Sequence, residues 1–181
     1  MDADKNTQKA NEFFTEKSST YIDIDDNLLI LKDGNTILRT SESNGYNHIY
    51  KLCFDGVSSE VTKGNWDVIQ FLGINETDGT IYYTSAEDGA INKTIYKINI
   101  TGKNKKRISD ASGTSEAEFS NGMKYFIKTY SDANTPPVFS LCDNTGKQIE
   151  VLENNFRLNE TLAEYNLPRK EFITFKGHEK E

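Results

Sequence analysis

Histidine, cysteine, tryptophan and proline are scarce in this chain of 181 residues, at two, two, one and three copies. Two cysteines make no metal framework of their own. Cys53 and Cys142 fall in corresponding strand-like runs of different repeats, which suits buried free thiols better than a disulfide. Positive charge is also in deficit: 21 Lys and Arg face 28 Asp and Glu, for a net charge of −7. Phosphate binding needs a basic stripe, so no nucleic-acid partner is expected. The run Lys103, Lys105, Lys106, Arg107 beside Thr101-Gly102 reads as a solvated hairpin tip. No stretch is long and apolar enough for a membrane-spanning helix. The start, Met1-Asp-Ala-Asp-Lys, is polar and shows no signal-peptide core. Four Asn-x-Thr sequons, at Asn75, Asn92, Asn99 and Asn159, matter only in a secreted eukaryotic protein.

What is present is repetition. Leu28 to Leu31 is a continuous apolar run, suited to a buried inner strand. Lys32-Asp33-Gly34-Asn35 turns it, Thr36 to Glu42 follows, and Tyr46 to Phe54 is the third strand, alternating in type from Tyr46 to Cys53. Asp55-Gly56 is a hairpin signal, because Gly accepts φ > 0 without a Cβ clash. Val57 to Thr62 completes a unit of four strands. The unit returns from Trp66 to Ser109, turning at Thr77-Asp78-Gly79 and Thr101-Gly102, and again from Ser115 to Leu152, turning at Asn121-Gly122 and Thr145-Gly146. Thr40, Thr84 and Thr129 lie 44 and 45 residues apart; Tyr50, Tyr96 and Phe139 lie 46 and 43 apart. Four-stranded units at a period of roughly 40–50 residues are the signature of a β-propeller. A Greek-key sandwich would also give many short strands, but would not require the repeat to hold three times.

The fold class expected is therefore all-β: a partial β-propeller of about three four-stranded antiparallel blades, with a short C-terminal helix and strand. The blades span about 27–62, 63–110 and 111–152, preceded by an incomplete blade within a propeller part of 1–152. At the start, Asp2 to Thr7 reads as a hairpin tip lacking its first strand, with Ala10 to Thr15 as the returning strand. In 153–181, Leu158, Leu162 and Tyr165 share a helix face, Asn159 is the candidate N-cap, Pro168 stops the helix, and Glu171 to Lys176 reads as a strand.

Resident chemistry is not expected. Gly113-Thr-Ser115-Glu-Ala117 lacks the second glycine of a nucleophile elbow and leads into a strand. His48 reads as a packed strand histidine and His178 sits in the tail, so no Ser/His/Asp set assembles. Asp23, Asp25 and Asp26 lack the glycine and glutamate of a calcium loop and read as a solvated acidic cluster. Glu116 and Glu118, or Asp25 and Asp26, carry no spacing information. No metal or cofactor is expected.

Several runs stand in an order that resembles the N-terminal propeller region of dipeptidyl peptidase IV-like serine peptidases, of the prolyl oligopeptidase superfamily. They are Leu31-Lys-Asp-Gly-Asn-Thr, Thr40-Ser-Glu-Ser-Asn-Gly-Tyr-Asn-His-Ile-Tyr, Lys63-Gly-Asn-Trp-Asp-Val-Ile, Ile81-Tyr-Tyr-Thr-Ser and Ile95-Tyr-Lys-Ile. They continue as Phe119-Ser-Asn-Gly-Met-Lys-Tyr-Phe, Tyr130-Ser-Asp-Ala-Asn-Thr-Pro-Pro-Val, Val151-Leu-Glu-Asn-Asn, Tyr165-Asn-Leu-Pro and Glu171-Phe-Ile-Thr-Phe. The resemblance, closer in style to bacterial members, implies a propeller that caps an α/β-hydrolase, restricts access to it and helps position peptides for Xaa-Pro dipeptide release. It places the serine nucleophile's domain beyond Glu181 and the family's paired glutamates before Met1, so it transfers no catalytic residue. Only the Ser18–Asp26 connection corresponds to a loop near the extended substrate pocket, which makes Tyr21 the candidate substrate-binding residue. A periplasmic or cell-envelope setting follows if the bacterial likeness holds. The implied partners are a peptide substrate in the full-length protein and further copies of the chain, through exposed blade faces. Two other readings are a free-standing propeller module that binds protein partners and a small lactonase-type propeller enzyme holding a metal on loop carboxylates.

Overall fold

Alternating β-branched and aromatic residues, cut at intervals by Gly-bearing turns, form three antiparallel meanders. The computed structural model describes residues 14–19, 21–22 and 27–175 in full, and 2–3 and 10–11 as backbone. The first four-stranded sheet contains β3 (Leu28–Ile30), β4 (Thr36–Ser41), β5 (His48–Cys53) and β6 (Ser58–Glu60). The second contains β7 (Val68–Asn75), β8 (Thr80–Ser85), β9 (Thr94–Asn99) and β10 (Lys106–Arg107). The third contains β11 (Thr114–Phe119), β12 (Tyr125–Ser131), β13 (Val138–Asp143) and β14 (Gln148–Glu153). Strands pair in chain order within every sheet. This is a partial β-propeller. At the start, β1 (Asp2–Ala3) pairs with β2 (Ala10–Asn11), so the hairpin brings its own first strand.

Both faces of the second sheet are covered, because its neighbours pack on opposite sides. Ile81, Tyr83, Tyr96 and Ile98 meet Leu38 and Ile49 of the first sheet. Tyr82 and Ile95 meet Phe126 and Cys142 of the third. Two-sided burial explains why the middle strands read as near-continuous apolar runs. In the first sheet, Tyr46 to Cys53 alternates in type but does not divide into a core face and a water face: His48, Ile49 and Leu52 are all buried.

Backbone links close each seam. Val68 N–H donates to Asn47 O at 2.8 Å, and Asn47 N–H donates to Asp67 Oδ1 at 2.7 Å. At the next seam Lys93 N–H donates to Gly113 O at 2.9 Å and Ser115 N–H to Lys93 O at 2.7 Å. Gly113 N–H also donates to Asn92 Oδ1. The corresponding place before β13 is Pro137, which has no N–H to give. There the side-chain amide of Asn155 donates to Pro137 O instead.

Several local expectations shift. The turn at Asp55-Gly56 is a three-residue loop: Cys53 N–H bonds Val57 O, and only Gly56 has positive φ. A two-residue type I′ turn needs two such residues, whereas one glycine suits a type I turn with a bulge. The hairpins closed by Asn99 and Lys103 and by Asp143 and Lys147 repeat this pattern. Leu28 and Ile30 are half exposed, because β3 is an edge strand and their face points away from the second sheet. Phe139 pairs with Thr129, so it shares the outward face of β12. Tyr50 and Tyr96 instead sit opposite Arg39 and Tyr83. The matching residue in the third sheet is therefore Ser140, opposite Lys128; a count off by one swaps faces in a strand.

The helix α1 (Phe156–Glu164) starts after Asn155, which adopts a left-handed conformation. Asn159 lies inside the helix, its N–H bonded to Asn155 O, and caps nothing. Residues 171–175 form no ladder, since no described strand lies beside them to supply one. Lys170 is instead tied to Asn134 by two hydrogen bonds, of 2.8 and 3.0 Å.

Candidate functional site

Tyr21, the sequence candidate for substrate contact, is 80% exposed. Upstream of it, Glu16 accepts hydrogen bonds from the Arg39 guanidinium and the Ser41 hydroxyl, and Phe14 lies beneath the Arg39 head group at 4.8 Å. This stretch thus covers part of the first sheet's outer face, while Tyr21 stays in solvent. Asp23, Asp25 and Asp26 lie outside the described residues, as does His178.

The densest cluster of polar and aromatic side chains lies on the seam between the first and second sheets. His48 is fully buried. Its Nε2 lies 3.0 Å from the Gly64 carbonyl, which can only accept, so Nε2 carries the proton. Nδ1 then accepts from the Thr62 hydroxyl at 3.2 Å, and Thr62 Oγ1 accepts from Ile49 N–H at 2.9 Å. Both ring nitrogens are therefore engaged, which removes His48 as a free general base. The Trp66 ring meets His48 edge-on at 4.9 Å and lies parallel to Tyr83 at 6.2 Å. Tyr83 stacks on Tyr96 at 5.7 Å. Gly64 must remain glycine: its φ is +147°, and a Cβ there would strike the Trp66 ring.

The loop after β8 adds two carboxylates. Glu87 pairs with Lys105, and Asp88 with Arg107 at 2.9 Å. Asp88 also accepts from Thr94 Oγ1 and Tyr96 Oη, both at 2.8 Å. Burial alone would raise the Asp88 pKa, but the bonds from Tyr96 and Thr94 and the Arg107 charge hold it below the usual carboxylate range. Burial pushes Tyr96 up to about 12, with its bond to Asp88 and the Glu87 charge adding to the effect. Tyr83 is pushed further in the same direction, by burial first and then by Glu87 and Tyr96. Lys105 and Arg107 are thus anchored, and only part of the basic run is a solvated tip. Sequence reading did not anticipate this cluster. The one available signal was the chain's single tryptophan, placed at the start of the second repeat.

Other candidates do not assemble. Ser115 is fully buried on β11, far from the exposed turn an elbow requires. Glu116 pairs with Lys93 on the surface. Cys142 is buried and Cys53 half-buried, on different sheets, and both are free thiols. Among the described residues no group of three His, Cys, Asp or Glu is arranged to hold a metal. A shallow depression of ≈ 320 Å³ lies at one end of β8 and β9, lined by Asp78, Thr80, Lys97, Ile98, Asn99 and Asn104. Its lining holds no histidine or cysteine.

The fold and its seams thus define a propeller arc whose described histidine is structural. Residues 1–137 match the family described as the dipeptidyl peptidase IV (DPP IV) N-terminal region, and the chain belongs to that family. A probable dipeptidyl-aminopeptidase B of Phaeosphaeria nodorum is 28% identical over 171 residues, covering 90% of this chain and 18% of that protein. Dipeptidyl peptidase 4 of Trichophyton equinum is 29% identical over 141 residues, covering 75% and 18%. The crystal structure of Porphyromonas gingivalis dipeptidyl peptidase 4 superposes with a TM-score of 0.69 at 38% identity, over 75% of this chain and 19% of that one. The chain spans about one fifth of the length of the relatives it matches.

Proposed function

We propose that this chain is a non-catalytic propeller portion of a dipeptidyl peptidase IV-like serine exopeptidase. In that role it narrows access to an α/β-hydrolase domain outside this sequence and helps position peptides for release of Xaa-Pro dipeptides. The observation that carries the reading is the match of residues 1–137 to the family's N-terminal region, together with the overlay on roughly a fifth of a solved dipeptidyl peptidase 4. The seam chemistry fits a scaffold: His48 is spent on Thr62 and Gly64, and Glu87 and Asp88 form ion pairs with Lys105 and Arg107. Tyr21 is the residue we assign to peptide contact, because it presents a free aromatic face at the connection into the first sheet.

The test is hydrolysis of Gly-Pro-p-nitroanilide by the purified chain. The expected result is no release above buffer. Turnover that co-purifies with the chain through several columns overturns the non-catalytic reading.

A further inference from the structure

Lys105 stands immediately before β10, on the outer rim of the second sheet. Its ammonium lies 5.1 Å from the centre of the Trp66 ring and 5.8 Å from that of Tyr96, and it donates to Glu87 Oε1. Trp66 and Tyr83 are within 7° of parallel, and Tyr83 and Tyr96 within 18°, so the rings form one aromatic wall. An ammonium is attracted to such faces by the ring quadrupole, and a carboxylate at the open end adds direction and charge.

Two further polar groups of the cluster have no hydrogen-bond partner among the described residues. The Tyr83 hydroxyl is on a fully buried residue and makes no hydrogen bond, and neither does Glu87 Oε2. Buried polar atoms are ordinarily paired, so these two leave hydrogen-bonding capacity in the cluster that Lys105, bonded to Glu87 Oε1, does not use. The neighbouring Asp88–Arg107 pair is balanced in itself. Without Lys105 the wall would therefore carry the single negative charge of Glu87. About a third of the Lys105 side chain is open to solvent, which gives a route in and out. Lysine is a compact charge on a flexible stem, suited to a ligand that can leave.

We propose that Trp66, Tyr83, Tyr96 and Glu87 form an alkylammonium-binding site, and that Lys105 occupies it in cis as a displaceable internal ligand. The ligand class is a primary or quaternary ammonium head group on a short alkyl stem. The site lies on the seam and does not depend on the peptidase reading.

Trp66 is the only tryptophan in the chain and reports the site directly. Its fluorescence would be followed while n-butylammonium or tetramethylammonium chloride is added against sodium chloride at matched ionic strength. Lys105→Ala, which opens the site, is expected to give a saturable change at a concentration about tenfold lower than the unmutated chain requires. Lys105→Met, which fills the space without charge, should respond like the unmutated chain. Lys105→Ala combined with Glu87→Gln should lose about tenfold in affinity. Equal responses from all four proteins, or a response that sodium reproduces, overturn the proposal. Should Lys105→Ala fail to fold by circular dichroism, the unmutated chain decides. Ring currents from Trp66 and Tyr96 must then move the Lys105 ε-methylene proton resonance upfield, and an unshifted resonance overturns the proposal.

Discussion

At the scale of single residues, the phenols of the second sheet set an alkaline limit on the fold. Burial pushes Tyr82 up to about 12, with Asp78 adding to the effect, and Tyr96 rises to about 12 as well. The reference value is 10.0. The folded chain holds these protons to higher pH than the unfolded chain does. Their contribution is therefore complete below about pH 10 and is lost as pH rises through about 12. Titration followed by tyrosinate absorbance and circular dichroism should show delayed ionisation of buried tyrosines, coinciding with loss of sheet signal in that window. Ionisation of all nine tyrosines near pH 10 with the fold intact would contradict this. His48 shows how far a lone residue could be read beforehand. Its strand position and its exclusion from catalysis follow from its neighbours in sequence. The Thr62 and Gly64 partners do not, because they arrive from beyond the next strand.

At the scale of elements, the strands and the helix carry unequal weight. Phe126 of β12 is buried against Tyr82 and Phe119 in the second seam. The α1 helix buries no residue. Phe126→Ala removes a large buried ring and should cost about 3–5 kcal/mol. Leu158→Asp, on the exposed helix, should change stability by no more than about 0.5 kcal/mol. Urea unfolding of both variants checks the contrast, and equal losses would mean that the helix packs more firmly than the structure shows. The strands were legible because β-branched and aromatic runs alternate with Gly-bearing turns. The third-sheet register was harder to read. Phe139 and Ser140 both suit a strand, and their faces are decided by pairing with Thr129 and Lys128, which spacing alone does not encode. The strand expected from Glu171 to Lys176 forms no ladder over its described residues, 171–175, for a related reason: β propensity needs a partner edge before it becomes a ladder.

At the scale of the whole molecule, the outer face of the third sheet is the conspicuous surface. Tyr125 and Ile127 are exposed there, flanked by half-buried Phe139 and Leu141. Every corresponding face on the inner side of the arc is covered by a neighbouring sheet. Contiguous apolar area of this kind marks an interaction surface. We propose that it pairs with a second copy of the chain in isolation. Light scattering should show mass rising with concentration, and Ile127→Lys should return the chain toward a monomer. A monomeric mass held to high concentration would remove this reading.

The seams themselves carry a further consequence. Among the described sheets, each packs against the one before it and the one after it, through a cluster of side chains and backbone hydrogen bonds at each seam. Stability in such an arrangement is a nearest-neighbour sum, as in a row of stacked repeats. Among the described sheets the middle one has two neighbouring sheets and each flanking one has one. Amide protons should therefore exchange last around Tyr82, Tyr83 and Ile95, with loss of protection travelling inward along the row from either side.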